Sequence, residues 1–445
     1  MTNSPEALGL EDLQLQLTNW QDDESNAIVV VDEKQLKPTD RVLGEGSYGV
    51  VRLCHWTPKQ GRRRLVAMKQ VNIRQPASAD DARQQSQDRD TRVQFIASLV
   101  HEMQIMSALN HQHVVKFLGA GLLDSGEDKS VESAFMIQEY MCGGSMANAL
   151  LRQFLSPSQI EYTTTDAFSW CLGAAKALEY LHSLSPMVIH RDVKCDNILL
   201  DGEHETSKLA DFGLSALVNA KDSELAEMKS ADPPGCGNCF NLTVEIGPED
   251  LAAAAHEAMD NSTLNRRGYS SVGDGLQVDE LGRVANTIYD IPDHKLFNLT
   301  GCKGTLLTMA PEVFKSEPYS ESADIFAMAV IMYEMFTRRS ILSRVSCCSG
   351  GTHKEVYRLA KNIANGFRPS LPREWPNELA ELVSECWHQS PHDRPSAAEL
   401  VRRLEDLRPV ITRTETLGLV GAAPAVSNWS QSTGDGAACA CCSIS

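Results

Sequence analysis

His190-Arg191-Asp192-Val193-Lys194-Cys195-Asp196-Asn197 sets a carboxylate (Asp192), an ammonium (Lys194) and a carboxamide (Asn197) within six residues. A carboxylate can orient a hydroxyl and take its proton. An ammonium offsets charge on anionic oxygens. A carboxamide oxygen is a ligand for a hard cation such as magnesium. The apolar run Ile198-Leu199-Leu200 follows, and it predicts a short strand anchoring the loop. Groups of this kind act only with partners brought from elsewhere in the chain, so the reading depends on what flanks them.

Upstream, Leu43-Gly44-Glu45-Gly46-Ser47-Tyr48-Gly49-Val50-Val51 spaces three glycines between strand-like runs. Without side chains a backbone turn can lie against phosphates. The run continues as Val50-Val51-Arg52-Leu53, a strand rather than a helix, which argues against the dinucleotide-binding form of the motif. Tyr48 reads equally as a cap over phosphates or as a solvent-facing tip. Val66-Ala67-Met68-Lys69 is a second strand with a lysine among apolar residues. Leu99 to Leu109 has helical apolar spacing and carries Glu102. His111 and His113 read as turn or core residues rather than metal ligands, because no partner cluster accompanies them. Phe135 to Glu139 predicts a buried strand that ends in the loop Tyr140-Met141-Cys142-Gly143-Gly144-Ser145.

Downstream, Ala167 to Leu184 predicts an amphipathic helix leading through Ser185-Pro186 into the opening stretch. Lys208-Leu209-Ala210-Asp211-Phe212-Gly213 places Asp211 fourteen residues after Asn197. Gly304-Thr305 and Met309-Ala310-Pro311-Glu312 follow, then Ser322 to Val330 opens a long apolar helix containing Asp324. Gly366-Phe367-Arg368-Pro369, Cys386-Trp387 and His392-Asp393-Arg394-Pro395 complete the series.

Taken in order, these motifs resemble the protein kinases over about Leu36 to Leu407. The resemblance implies an α+β, bilobal fold: a small N-lobe antiparallel sheet with one helix, and a larger, mainly helical C-lobe. It implies ATP and Mg2+ as cofactors and a protein serine or threonine as acceptor. Asp192 would act on the acceptor hydroxyl, Lys194 on the moving phosphate, and Asn197 and Asp211 on magnesium. Lys69 would bind the α- and β-phosphates and pair with Glu102. Leu43, Gly44, Gly46 and Gly49 would cover the nucleotide, and Val51, Ala67 and Leu199 would sandwich the base. The backbone of Glu139 and Met141 would bind adenine, and Gln138 would narrow the rear pocket. Phe212 would join Met106, Phe117 and His190 in an apolar column. Asp324 would hold the loop backbone, and Arg394 would pair with Glu312. Cys-Trp with Arg-Pro is similar to the tyrosine-kinase-like branch, and Lys194 marks serine/threonine specificity. Phe326 and Ala329 depart from the tryptophan and glycine that most kinases carry there.

The formal net charge of −18 argues against nucleic acid or an anionic membrane surface as a partner of the whole chain. The N-terminus lacks the regions of a secretory signal, and no apolar run approaches the ~20 residues of a membrane span. The thirteen cysteines are therefore expected to be reduced thiols in a cytoplasmic chain, and the Asn-Leu-Thr patterns at 241 and 298 carry no meaning without secretion. Expected divisions are a polar lead over 1–35 that contains a strand-like run at Val29 to Val31, a kinase domain over 36–407 and a disordered, cysteine-containing tail over 408–445. Inserts are expected at about 75–92 and 214–300. Residues 221–300 hold 14 Asp/Glu against 6 Lys/Arg, so a solvated activation-segment insert is expected. Cys236 and Cys239 have metal-like spacing, but one pair does not make a four-ligand site.

Thr300, Thr305, Ser270 and Ser271 are candidate phosphate acceptors, for an upstream kinase or for autophosphorylation, and Arg191 could pair with such a phosphate. Cys442, fourth from the end, fits a C-a-a-X prenylation site apart from the non-aliphatic Ser443. Cys439 or Cys441 would supply the second lipid that stable attachment to a cytosolic membrane face requires. The competing readings are a catalytically inactive kinase-fold scaffold tethered to a membrane, and a metabolic kinase. The full set Lys69, Asp192, Asn197 and Asp211 speaks against the first, and Gly304-Thr305, which fits the family's loop that receives the substrate peptide, against the second.

Overall fold

The structure, a computed structural model, describes residues 29–46, 49–59, 61–72, 98–124, 131–156, 159–219, 289–290, 305–341 and 353–414. They fall into two compact units. The first takes its residues from Met1–Gly143, Ser183–His190 and Lys208–Asp293, the second from Gly144–His182, Arg191–Ser207 and His294–Ser445.

The first unit is an antiparallel sheet of β1 (Leu36–Gly46), β2 (Gly49–Trp56), β3 (Arg64–Asn72), β4 (Phe117–Asp124) and β5 (Val131–Glu139). Their order across the sheet is β1-β2-β3-β5-β4, with a helix, α1, over 98–108. Side chains alternate across a strand, so pairs two apart share a face. Cys54 with Trp56, Val66 with Met68 and Phe135 with Ile137 pack into one core cluster together with Val31. The other face collects the residues between them. Registers Val51↔Lys69, Leu53↔Ala67 and Ala67↔Gln138 set Val51, Ala67, Lys69 and Gln138 side by side. The expected strands and helix are present.

The fold begins earlier than the expected lead of 1–35 allows. Val31 donates its N–H to Ala120 O at 2.7 Å and Ala120 donates to Val29 O at 3.0 Å, so this stretch pairs with β4. Gly119, at φ 152°, and Gly121 make the approach feasible, because a Cβ on either would strike the Val29 or Val31 carbonyl oxygen. A 3-10 turn over Glu33–Gln35, capped by Asp32, then leads into β1.

The expected start of the activation-segment insert at 214 is also corrected. Ala216–Asn219 is a strand antiparallel to Met187–Ile189, and its backbone pairs in parallel with Tyr289–Asp290. Ser215, Ala216 and Val218 are buried, because this apolar run has a strand to pair with before the acidic stretch begins. The bulk of that stretch, the expected insert at 75–92 and Cys236/Cys239 lie outside the described residues.

The second unit is mainly helical: α2 (Met146–Leu155), α3 (Thr164–Ser183), α4 (Pro311–Phe314), α5 (Ser322–Thr337), α6 (His353–Ala364), α7 (Asn377–Cys386) and α8 (Ala397–Thr414). Every residue of α5 from Ser322 to Phe336 is buried, as a helix that is apolar all round must be. The guanidinium carbons of Arg368 and Arg394 lie 4.9 and 5.0 Å from the Phe326 ring centroid, so the phenylalanine keeps an aromatic face for two cations. The expected domain end at 407 is corrected. Proline at 409 reads as a stop, yet α8 runs through it to Thr414 and buries Ile411 completely. Packing of the next turn outweighs the hydrogen bond that Pro409 forfeits. The remaining tail, 415–445, lies outside the described residues. Among the described residues no helix is long and apolar enough to cross a membrane. Described cysteines Cys54, Cys142, Cys171, Cys195 and Cys386 are free thiols.

Candidate active site

In the first unit, Lys69 Nζ lies 2.7 Å from Glu102 Oε2 and 2.8 Å from Asp211 Oδ1, partners 33 and 142 residues away in sequence. Strand β3 aims the lysine off the sheet face that carries Val51 and Ala67. Helix α1 supplies Glu102, and a turn at Asp211-Phe212-Gly213 supplies the third group. Asp211 adopts a left-handed backbone at φ 64°, which a non-glycine residue takes only when its surroundings hold it there. Gly213 lies beneath the Glu102 carboxylate: an added Cβ would stand 3.5 Å from Oε2.

The electrostatics follow from burial. Lys69 loses solvent, which alone would lower its pKa. The Glu102 and Asp211 carboxylates outweigh that and hold the ammonium above the usual lysine range. Glu102 is 2 % exposed. Burial pushes its carboxyl up to about 7; Lys69 opposes the rise and nearby Asp211 adds to it. The arrangement is a fixed cation between two carboxylates, the more exposed of which is Asp211 at 46 %.

The expected column is partly visible in the same unit. His190 and Phe212 meet edge to face at 4.9 Å, and His190 Nε2 bonds Ala210 O at 3.0 Å. Met106 is buried and Phe117 half-buried. Gln138, expected to narrow a rear pocket, directs Nε2 to Met106 Sδ at 3.1 Å. At the end of β5, Glu139 Oε1 accepts from Lys116 N and from Lys208 Nζ, both at 2.7 Å. Lys208 was not expected here, although its place just before Leu209-Ala210-Asp211 is a legible signal. Met141 is 8 % exposed. Leu43 is half-buried, Gly44 exposed, and Gly46 pairs with Gly49 to close the β1–β2 hairpin. Tyr48 lies outside the described residues. His113 N bonds His111 Nδ1 at 3.3 Å and His113 O accepts from Leu209 N, so both are turn residues.

In the second unit, Asp192 is 6 % exposed and ringed by donors. Asn197 Nδ2 reaches its backbone O at 2.9 Å and its Oδ2 at 3.0 Å. Lys194 Nζ lies 2.8 Å from Oδ2. Thr305 gives both its N–H and its hydroxyl to Oδ1 at 3.0 Å, and that hydroxyl accepts from Lys194 Nζ at 3.0 Å. Thr305 was expected among the phosphate acceptors. The structure instead makes its hydroxyl a partner of Asp192 and Lys194, where a phosphate dianion would face the Asp192 carboxylate. Leu199 is half-buried in Ile198–Leu200.

The loop is held from behind. Arg191 takes φ 67°, and its N–H donates to Asp324 Oδ1 at 2.9 Å. Asp324, 1 % exposed, also bonds His182 Nε2 at 3.0 Å. Arg191 Nη1 contacts Tyr319 Oη at 3.4 Å. Further along, Arg394 grips Glu312 with two parallel bonds of 2.6 and 2.8 Å and also donates to Ser322 O. Thr300, Ser270, Ser271, Cys439, Cys441 and Cys442 lie outside the described residues.

Residues 38–232 match the family model described as protein kinase domain, and residues 290–404 match protein tyrosine and serine/threonine kinase. The chain belongs to the protein kinase superfamily. Within it the expected tyrosine-kinase-like serine/threonine type stands. The interval 233–289 between the two matches falls inside the acidic stretch. Mitogen-activated protein kinase kinase kinase 7 of Homo sapiens is 26 % identical over 378 residues, 85 % of this chain and 42 % of that one. Serine/threonine-protein kinase VIK of Arabidopsis thaliana is 26 % identical over 380 residues, 85 % of this chain and 61 % of that one. The putative serine/threonine-protein kinase/receptor R831 of Acanthamoeba polyphaga mimivirus is 27 % identical over 303 residues, 68 % of this kinase chain and 13 % of that one. The chain thus spans less than half the length of the first of these relatives.

Proposed function

We propose that this chain transfers the γ-phosphoryl group of ATP to serine or threonine hydroxyls of a protein substrate in signalling. The observation that carries the reading is Lys69 held at once by Glu102 and Asp211, across 33 and 142 residues of sequence. A buried-side lysine pinned by two carboxylates keeps its charge and its position, which is what an α,β-phosphate site requires.

Asp192 orients the acceptor hydroxyl and takes its proton. Donors on both carboxylate oxygens hold it in one orientation, so little reorganisation accompanies the transfer. Lys194 stands against the phosphoryl oxygens as their charge moves. Leu43, Gly44, Gly46, Gly49, Val51 and Ala67 of the first unit would cover the nucleotide, the backbone of Glu139 and Met141 would bind adenine, and Leu199 of the second unit is proposed as a further contact of the base. Each residue proposed for magnesium presents an oxygen within its own unit: Asn197 spends its amide nitrogen on Asp192, so its amide oxygen would serve as ligand, and Asp211 carries a partly exposed carboxylate. When bound, the ion neutralises charge on the phosphate oxygens. Lys194 and the two relatives named as serine/threonine-protein kinases support the serine/threonine assignment.

The test is ATP-dependent phosphorylation of a generic protein substrate by wild type and Asp192→Asn. Incorporation by wild type and its loss in the variant support the reading, and an inert wild type with intact fold supports the scaffold instead. The candidates for a regulatory phosphate are Thr300, Thr305, Ser270 and Ser271, modified by an upstream kinase or by autophosphorylation, and phosphosite mapping on purified protein tests them. A cytoplasmic chain attached to a membrane through lipid on Cys442, with Cys439 or Cys441 acylated, should move to the soluble fraction in Cys442→Ser. Equal solubility of the two would remove that part.

A further inference from the structure

Two consecutive residues of α1 reach the same short segment by separate routes. Glu102 reaches Asp211 through Lys69. His101 Nε2 lies 2.8 Å from the backbone oxygen of Ser215. A carbonyl only accepts, so Nε2 carries the proton and the imidazole is the donor. Ser215 is a fixed anchor. It is fully buried, its N–H donates to Phe212 O at 3.0 Å, and its hydroxyl reaches His190 O at 3.4 Å. His190 in turn holds Ala210 O and the Phe212 ring. Both ends of the turn 211–215 are therefore tied to one frame.

Successive helix residues project about 100° apart around the axis. Glu102 is held by Lys69 and by the Phe212 backbone N–H, but both act at the end of one long, flexible side chain, about which α1 can still pivot. A second attachment, on the neighbouring residue and around the helix from the first, fixes its rotation. Packing does not require an imidazole at 101: the residue is only half-buried, and Val100, Met103, Ile105 and Met106 carry the apolar contacts.

We propose that His101 is a positioning residue, whose bond to the Ser215 carbonyl keeps α1 in the place and rotation at which Glu102 meets Lys69. The kinetic part of this inference rests on the phosphoryl-transfer reading; the structural part does not. Releasing the bond turns α1 out of register with Lys69, so the segment after Asp211 reports its order to the ion pair through one imidazole.

The experiment uses the full chain with His101→Phe, which keeps a ring and loses the donor, and His101→Gln, which restores an N–H donor. His101→Leu runs beside them as a second donor-less variant in case the phenylalanine misfolds. Without nucleotide, amide hydrogen exchange over 101–108 should quicken about fivefold in the donor-less variants, while His101→Gln behaves as wild type. In the phosphoryl-transfer assay the donor-less variants should lose about fivefold in kcat with peptide KM unchanged, and His101→Gln should recover it. In a Glu102→Gln background the donor-less change should cost nothing further. Wild-type exchange over α1 in a folded donor-less variant overturns the proposal. So does a kcat loss that multiplies fully with Glu102→Gln, or a His101→Gln variant as impaired as His101→Phe. An inert wild type would strike the phosphoryl-transfer reading and leave the exchange result standing.

Discussion

The candidate residues divide into two halves, one in each unit, built on opposite plans. In the second unit, Asp192, Lys194 and Asn197 come from one six-residue loop, closed by Thr305 and supported by a buried Asp324. In the first, Lys69, Glu102 and Asp211 come from a strand, a helix and a turn, with nothing local to force them together. A loop whose backbone N–H is pinned to a buried carboxylate is pre-set as soon as its own unit folds. A triad that depends on where a helix lies can be made or broken without unfolding anything. The comparison sets a division to be tested: chemistry in the local half, control in the long-range half.

The largest effect expected tests the first assignment. Asp192→Asn removes the base but keeps the donors' partner shape, so kcat should fall by about a thousandfold while ATP binding and thermal unfolding stay close to wild type. If ATP affinity falls as far as kcat, the local half is not confined to chemistry. Lys69→Met should show the opposite split. It takes away the cation between Glu102 and Asp211 and leaves two carboxylates facing each other, so nucleotide affinity should drop by about a hundredfold, measured by titration of a fluorescent ATP analogue. Retained affinity would mean that the triad is not the phosphate site.

The framework of the second unit gives a stability test. Arg394 and Glu312 are 0 % and 4 % exposed. Arg394→Met strands a buried carboxylate, and the expected loss is about 3–5 kcal/mol in urea unfolding. A loss below about 1 kcal/mol would show that the pair is solvated in solution.

How far these halves were legible in the sequence follows from the same contrast. The loop could be read directly, because its groups are neighbours in the chain. The strand under Lys69 and the helix under Glu102 were readable from apolar spacing, since burial on one face dictates both patterns, but the roles of the two residues came from the resemblance. The second anchor of α1 was not, because a bond from a side chain to the carbonyl of Ser215 leaves no trace in residue type. The partners of the Thr305 hydroxyl could not be read, since they depend on tertiary position. The errors at the domain edges came from local rules that packing overrode. Val31 completes a core that lacks it, the 216–219 run finds a strand, and Ile411 draws α8 past Pro409.

The smallest effect is the most diagnostic of control. Burial holds the Glu102 carboxyl near 7 rather than the ordinary 4.5, so the folded chain favours its neutral form. A raised carboxyl means that stability is fullest at low pH and declines as pH rises from about 4.5 through about 7, where the charge must be created in a buried place. Function runs the other way: the Lys69 pair needs the charged form. The kcat/KM for ATP should therefore fall below pH 7 along a limb set by the free enzyme, while Asp192→Glu, whatever its rate, keeps that limb. Glu102→Gln should lower kcat/KM by a few-fold and flatten the limb, because no proton remains to be lost. A limb that persists unchanged in Glu102→Gln would assign it to another group and leave α1 without a titrating role.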